Sequence, residues 1–288
     1  MSEELVVPAG VVQKARTIDF SRYNNRIAPL LEGLNTWSRG IPLVLAFFAL
    51  WEALPRLGII DMLFLPPFST TVQTLFDLIV SGKLLLHVIV SLQRSAIGFG
   101  LAFLIAVPFG FLMGWYSKFE RYTDLLVQSL RNVSTFALLP IFLLLFGLGE
   151  PSKIAIIFYG ASWQLLMNTI SGVKSVDPIY IKAAKSMGTS DWDLFRKVIL
   201  PASIPSIAIG ARLGAKISLM VVIAAEMIGA KSGLGFFIQN AQFNFMVPEM
   251  YAGILALAIL GLMVNYLLVW VEKKTTYWKG EIGSSLLG

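Results

Sequence analysis

Cysteine is absent from the 288-residue chain, and histidine occurs once, as His87. The first absence excludes disulfides, zinc–thiolate sites and thiol nucleophiles, and the second leaves no imidazole cluster for a metal. Charge is scarce as well. Asp, Glu, Lys and Arg make up 14% of the residues, where a soluble domain carries about 25%. No phosphate loop of the form G-x-x-x-x-G-K-[ST] occurs, so ATP is not bound here in that mode. The N-terminal region also lacks the roughly 7–15-residue apolar core of a cleavable signal. Residues 1–40 instead mix Glu3, Glu4, Arg16, Arg22, Arg26 and Arg39 with polar residues, which suits a cytoplasmic arm.

What the chain has is apolar sequence, 56% by residue. Too few polar side chains remain to coat a soluble surface. The formal charge of +6 is no signal for nucleic acid, because the basic residues are scattered between apolar stretches. A membrane explains that distribution more simply. A hydrocarbon layer about 30 Å thick needs roughly 20 apolar residues in a helix. Six stretches qualify: Ile41–Ile60, Leu84–Tyr116, Leu125–Leu148, Ile154–Val173, Ile204–Gly229 and Tyr251–Trp270. The second has 33 residues, about 50 Å of helix, which is long for one crossing. Gly98 and Gly100 are expected to divide it, with Leu84–Arg94 near the outer face. The expected class is therefore all-α: a polytopic membrane protein with a transmembrane domain over 41–271 and a cytoplasmic tail over 272–288.

Lysine and arginine set the orientation. With the N-terminus inside, the inner segments 1–40, 115–124, 174–200 and 271–288 hold fifteen basic residues. The outer segments hold four: Arg56, Lys83, Lys153 and Lys231. Both termini are thus expected in the cytoplasm. Trp51, Trp115, Trp270, Tyr277 and Trp278 fall near expected span ends, as interfacial anchors do. Pro66–Gly82 carries Val72, Leu75, Phe76, Ile79 and Val80 at helical spacing and is too short to span. It either lies along the outer interface or packs on the core.

The longest inner loop is the most informative segment. Asp177–Pro205 reads DPIYIKAAKSMGTSDWDLFRKVILPASIP. Helix formers run from Pro178 to Met187, and Gly188 supplies a left-handed stop. Ser190 can cap a second helix, with Asp191 and Asp193 favourable in its first turn. Pro201 is expected to end that helix near the membrane. The result is a helix–glycine–helix elbow offering Trp192, Leu194 and Phe195 as apolar surface, which a merely solvated loop has no need of. A docking partner accounts for it.

On these residues the chain resembles the permease subunits of type I ABC importers. The pattern is an alanine pair, Ala183 and Ala184, then Gly188, then Leu200 and Pro201. In that family the loop, 177–201 here, carries the coupling helix that fits a groove on a cytoplasmic ATPase. The resemblance covers roughly residues 60–280 and narrows to the nitrate, sulfonate, taurine and bicarbonate type. It is carried by Leu65-Pro66-Pro67, by His87 with Ser91-Leu92-Gln93-Arg94, and by Phe146-Gly147-Leu148-Gly149-Glu150. Gly172-Val173-Lys174-Ser175-Val176-Asp177, Ala224-Ala225-Glu226-Met227-Ile228-Gly229 and Gly233-Leu234-Gly235 extend it.

The resemblance implies a MetI-like permease fold in a bacterial inner membrane, paired as a homodimer. Two cytoplasmic ATPase subunits would carry ATP and Mg, and a periplasmic or lipid-anchored binding protein would deliver a small anion. No cofactor is implied on this chain. The residues carried over to ATPase coupling are Lys182, Ala183, Ala184, Gly188, Trp192, Phe195, Leu200 and Pro201. Four positions depart from the family pattern. Lys182 stands where a glutamate usually precedes the alanine pair, which alters or reverses an ionic contact with the ATPase. Asn132 and Ser134 replace prolines, Gln164 replaces another, and Lys216 and Leu219 stand where a small residue and a tryptophan are usual.

Polar residues inside apolar stretches are costly, about 2.5–3.5 kcal/mol for a charge at mid-bilayer, and normally face a bundle interior or a cavity. Arg212 and Lys216 are four apart and share a helix face. They either line an electropositive solute path or separate. In the second case Arg212 reaches an acid or phosphate at the inner interface, and Lys216 meets Glu226 or a carbonyl. Glu226 either contributes to an outer gate or braces the Gly-Leu-Gly turn that follows. Gln164 and Asn168 line the path or bond neighbouring helices. His87 reads as a packed, hydrogen-bonded histidine. The pairs Gly110–Gly114 and Gly210–Gly214 permit close helix approach, a weak signal by itself.

Two other classes are weighed. A secondary transporter often shows inverted repeats and broken helices; none of the repeats is visible, and the elbow would have no purpose. An intramembrane enzyme needs a nucleophile–base or metal set, for which one histidine and no G-x-S-x-G leave nothing. A Ser-x-x-Lys match at Ser171–Lys174 is a chance hit at a span boundary.

Overall fold

The computed structural model describes residues 36–275, with side chains from residue 41 onward, and no strand occurs among them. The helices are α1 (Thr36–Arg56), α2 (Phe68–Val80), α3 (Lys83–Trp115), α4 (Ser117–Arg131), α5 (Leu139–Phe146), α6 (Glu150–Lys174) and α7 (Pro178–Ser186). They continue with α8 (Asp191–Leu194), α9 (Leu200–Met227), α10 (Leu234–Phe243) and α11 (Val247–Thr275). The expected arm, 1–40, lies outside the described residues except for 36–40, which open α1. The expected tail lies outside except for 272–275, which close α11, so Tyr277 and Trp278 are also outside.

Four helical runs are long and apolar enough to cross a membrane: α3, α6, α11 and the continuous run Asp191–Met227. A fifth results if the bent pair α4 and Phe136–Phe146 is taken as one span. The first expected span is helical in α1. Its uncharged stretch between Arg39 and Glu52 is only twelve residues, about 18 Å of helix. Glu52 pairs with Arg56 at 2.6 Å and accepts from the Ser69 N–H at 2.9 Å, which ties the end of α1 to the start of α2.

Three sequence expectations are corrected. Lys83–Trp115 is one unbroken helix, not two divided at Gly98 and Gly100. Gly98 is a packing glycine instead: a Cβ there would lie 2.5 Å from Ile157 Cγ2 of α6. The third expected span, Leu125–Leu148, is not one continuous helix: it is bent by 82° between Arg131 and Phe136. Asn132 caps its first half, donating from Nδ2 to the Gln128 carbonyl at 2.9 Å. Finally, Pro201 does not end a helix. Phe195–Ile199 forms a wide π-helical turn that carries the chain from α8 into α9, with Pro201 in the first turn of α9. A proline ring clashes with the carbonyl four residues back and offers no N–H. The wider turn just before it relieves that clash.

The core is organised on α6, which packs most extensively against α3 and α9. Small residues at spacing four let the helices touch. Gly98, Ala102, Ala106, Gly110 and Gly114 line one face of α3, and Ala102 and Ala161 are completely buried. A Cβ on Gly110 would sit 2.8 Å from Thr169 Cβ, and one on Gly210 would sit 2.7 Å from Asn168 Cβ. Both small-x-x-x-small pairs therefore mark real helix contacts. In α2, Thr71 and Leu75 are buried, whereas Val72, Phe76, Ile79 and Val80 stay exposed.

Candidate functional site

Two sites stand at opposite ends of α3. At its first end, a cation in an apolar helix has found its anions. Arg94 is 5% exposed, and Glu226, on α9, is fully buried. Arg94 Nη1 donates to Glu226 Oε1 at 2.8 Å and to the Ser232 carbonyl at 2.6 Å. Its Nε and Nη2 grip Glu150, at the start of α6, at 2.6 and 2.5 Å. Such bidentate, charge-assisted contacts are the strong class of hydrogen bond. They offset a desolvation cost that an unpaired charge could not bear.

The loop between α9 and α10 is pinned onto the same cluster. Ser91 Oγ donates to the Glu226 carboxylate and accepts from the Leu234 N–H at 2.8 Å. Glu226 Oε2 accepts from the Gly235 N–H at 3.0 Å, and His87 Nδ1 accepts from the Gly233 N–H at 3.1 Å. Gly233 has φ +113°, and a Cβ there would lie 2.2 Å from Glu226 Cδ. No side chain fits. Beside the cluster, Lys153 is 3% exposed and donates to the Gly149 and Leu148 carbonyls at 3.0 and 3.3 Å.

Glu226 thus braces the Gly-Leu-Gly turn, and its contact with Lys216, one of the sequence alternatives, does not form. Lys216 precedes it by ten residues, about 15 Å along the helix. His87 is a packed, hydrogen-bonded histidine. Arg94, Ser91 and Glu150 were missed as a unit, although a clear signal existed: an arginine and a glutamate, each deep in an apolar stretch, need each other.

At the other end of α3 stands the elbow. Asp177 caps α7 by accepting from the Ile179 N–H at 2.8 Å, and Gly188 has φ +76°. Ser190 caps α8 by accepting from the Asp193 N–H at 3.2 Å. Among the coupling candidates, Ala184 is buried, while Lys182, Ala183, Gly188 and Trp192 are exposed. Phe195, Leu200 and Pro201 are half-buried; Phe195 stacks with Trp192 at 5.9 Å and meets Phe111 of α3 edge-on at 5.2 Å. Leu194, expected as exposed apolar surface, is fully buried. Ile179, Tyr180, Met187 and Trp192 are each at least 65% exposed, an apolar face that water does not favour.

The pathway candidates separate. Arg212 Nη1 lies 2.8 Å from Glu272 Oε2 of α11, so its charge is answered inside the chain. Lys216 is exposed and makes no hydrogen bond or ion pair among the described residues; Met220, one turn on, is also exposed. Gln164 and Asn168 lie half-buried at the contact of α6 with α9, and Asn168 Nδ2 donates to the Gln164 carbonyl at 2.8 Å. Among the described residues, no group of three or more His, Cys, Asp or Glu side chains could hold a metal.

The described residues thus form an all-helical body with a projecting elbow. Residues 106–277 match the family described as binding-protein-dependent transport system inner membrane component. The chain is 33% identical to a putative aliphatic sulfonates transport permease protein of Bacillus subtilis, over 85% of this chain and 89% of that one. It is 32% identical to the taurine transport system permease protein of Escherichia coli, over 81% and 86%. A nitrate import permease protein of Leptolyngbya laminosa is also 32% identical, over 83% and 88%. In structure the chain is similar to the MetNI methionine ABC transporter in its inward-facing form, with TM-score 0.56 and 20% identity. That match covers 65% of this chain and 93% of that chain. The chain belongs to the family of binding-protein-dependent inner membrane components and is a permease subunit of an ABC importer.

Proposed function

We propose that two copies of this chain form a path for a small anion, of the sulfonate, taurine or nitrate kind, delivered by a binding protein. ATP hydrolysis takes place on two separate cytoplasmic ATPase subunits that grip the elbow, 177–201. The excess of basic residues on the elbow side supports a reading in which both termini are cytoplasmic and the Glu226 cluster faces outward. The elbow supports the coupling role by presenting Ile179, Tyr180, Met187 and Trp192 to solvent. Lys182 gives this surface a positive charge, so an acidic side chain is expected opposite it on the ATPase.

One observation carries the choice of an anion: Lys216 is exposed on α9 and has no ion-pair partner among the described residues, while Arg212 is neutralised by Glu272. A lone ammonium on a span draws anions and repels cations. The relatives named for sulfonates, taurine and nitrate support the same choice. Alternating access follows from the class: ATP-driven closure moves both elbows, and the paired bodies turn outward to receive solute. The test is reconstitution with an ATPase subunit and a binding protein that copurify with the chain. ATP-dependent uptake of taurine, an alkanesulfonate or nitrate is expected; uptake of a neutral or cationic solute in their place overturns the anion reading.

A further inference from the structure

Where the elbow joins α3, the surface is hollowed into a cavity of about 580 Å³. Its walls change character along its length. Val107, Phe111 and Leu112, on the last apolar turns of α3, line one part; Trp115, Tyr116, Trp192 and Asp191 line the other. From Val107 to Tyr116 the helix rises about 13 Å. That distance takes the cavity from the apolar layer to the interface, where tryptophan and tyrosine prefer to sit. Phe195 forms part of the wall and bridges the two helices, stacked on Trp192 and edge-on to Phe111.

The polar end has a definite chemistry. It combines aromatic rings with one carboxylate and contains no basic side chain. Aromatic faces attract ammonium groups, and a carboxylate beside them adds an opposite charge and an acceptor. A headgroup of net negative charge finds no donor cation in the lining and meets the Asp191 charge, whereas a zwitterionic one brings an ammonium to answer it. Among the described residues the Asp191 carboxylate is exposed and enters no hydrogen bond or ion pair, its backbone carbonyl alone accepting from the Phe195 N–H, so its charge is available. An apolar trough that ends in an aromatic, carboxylate-bearing mouth at the membrane boundary fits an acyl chain below and an ammonium headgroup above.

We infer that this cavity is a site for a phospholipid with an ammonium headgroup, phosphatidylethanolamine foremost, in the leaflet on the elbow side. The lipid chain lies along Val107–Leu112, and the ammonium sits against Trp115, Trp192 and Asp191. Because Phe195 and Trp192 belong to the elbow and Phe111 to α3, an occupied cavity stiffens the joint between them. Trp192 also belongs to the surface proposed for the ATPase, so lipid binding is tested on the chain without the ATPase, where its failure is distinguishable from failure of the coupling assignment.

The test is native mass spectrometry of the full-length chain in mild detergent. Phosphatidylethanolamine, phosphatidylcholine and phosphatidylglycerol of matched acyl length are titrated in turn. Phosphatidylethanolamine should bind roughly tenfold more tightly than phosphatidylglycerol, with phosphatidylcholine closer to the former, because the rings accept either ammonium. Asp191→Asn should erase most of that preference, and Leu112→Trp, which fills the trough, should abolish retention of phosphatidylethanolamine. Equal binding of the ethanolamine and glycerol lipids to the unaltered chain overturns the inference. So does a lipid-free dimer, in which a second copy fills the cavity. If Leu112→Trp does not fold, Asp191→Asn decides alone, since a preference unchanged by it is equally fatal.

Discussion

Arg94 and Glu226 are 132 residues apart in the chain and meet at 2.8 Å where water is excluded. Around that contact are gathered four sequence stretches that look unrelated when read along the chain: His87–Arg94, Phe146–Glu150, Ala224–Gly229 and Gly233–Gly235. Each supplies part of one buried polar cluster, and the cluster fastens the α9–α10 loop to α3 and α6. Its strength rests on completeness, because a half-satisfied buried network is worse than an apolar one.

Removing one member of the pair should therefore cost far more than removing both. Arg94→Met leaves Glu226 buried and unpaired, at about 3–5 kcal/mol. The double variant Arg94→Met with Glu226→Leu should regain a substantial part of that loss. Glu150→Gln should cost much less, since that carboxylate is 57% exposed and can return to solvent. Thermal unfolding of the four purified proteins in one detergent gives the comparison.

Two glycines two residues apart should respond with opposite signs. A Cβ at Gly98 meets Ile157 at 2.5 Å, whereas one at Gly100 has nothing within 4 Å. Gly98→Ala should destabilise by about 1–3 kcal/mol through overpacking. Gly100→Ala should stabilise by about 0.5–1 kcal/mol, because alanine loses less backbone freedom in a helix. Paired melting curves test both signs in one experiment.

Gly233→Ala should fail more severely than either. Its φ of +113° disfavours any side chain, and the added methyl collides with the Glu226 carboxylate at 2.2 Å. Membrane yield of folded chain should fall sharply, while Gly261→Ala, with open space around it, serves as the tolerated control.

Lys216 and Arg212 should separate by readout. Lys216→Met should abolish or strongly reduce anion uptake with the yield of folded chain unchanged. Arg212→Met should lower stability by removing the ion pair with Glu272 at 2.8 Å. Unimpaired uptake by Lys216→Met removes that residue from the solute path.

The sequence showed the caps of the elbow because their signals are local: a capping serine and a left-handed glycine act within a few residues, whereas Pro201, expected as a stop, lies in the first turn of α9. Four of the six expected spans were legible for the same reason; the third is a bent pair, and the first, in α1, is not among the described runs long and apolar enough to cross. The bend after Arg131 was not legible, because the prolines that would mark it are replaced by Asn132 and Ser134. The continuity of α3 through Gly98 was missed because a glycine in a helix reads as a break when its partner is unseen. Ile157, 59 positions away, decides the matter. The Arg94 cluster was hidden likewise. Each of its residues looks isolated until the helices pack, and only the mutual need of buried opposite charges connects them in advance.

Trp192 bears most directly on the elbow as the grip for an ATPase, because it is 69% exposed and lies outside the core. The measurement is copurification of the ATPase subunit with Trp192→Glu, together with solute-stimulated ATP hydrolysis in the reconstituted complex. The expected result is a folded chain that retains little ATPase and shows no stimulation by solute. Full retention with unchanged stimulation would contradict the coupling role of 177–201.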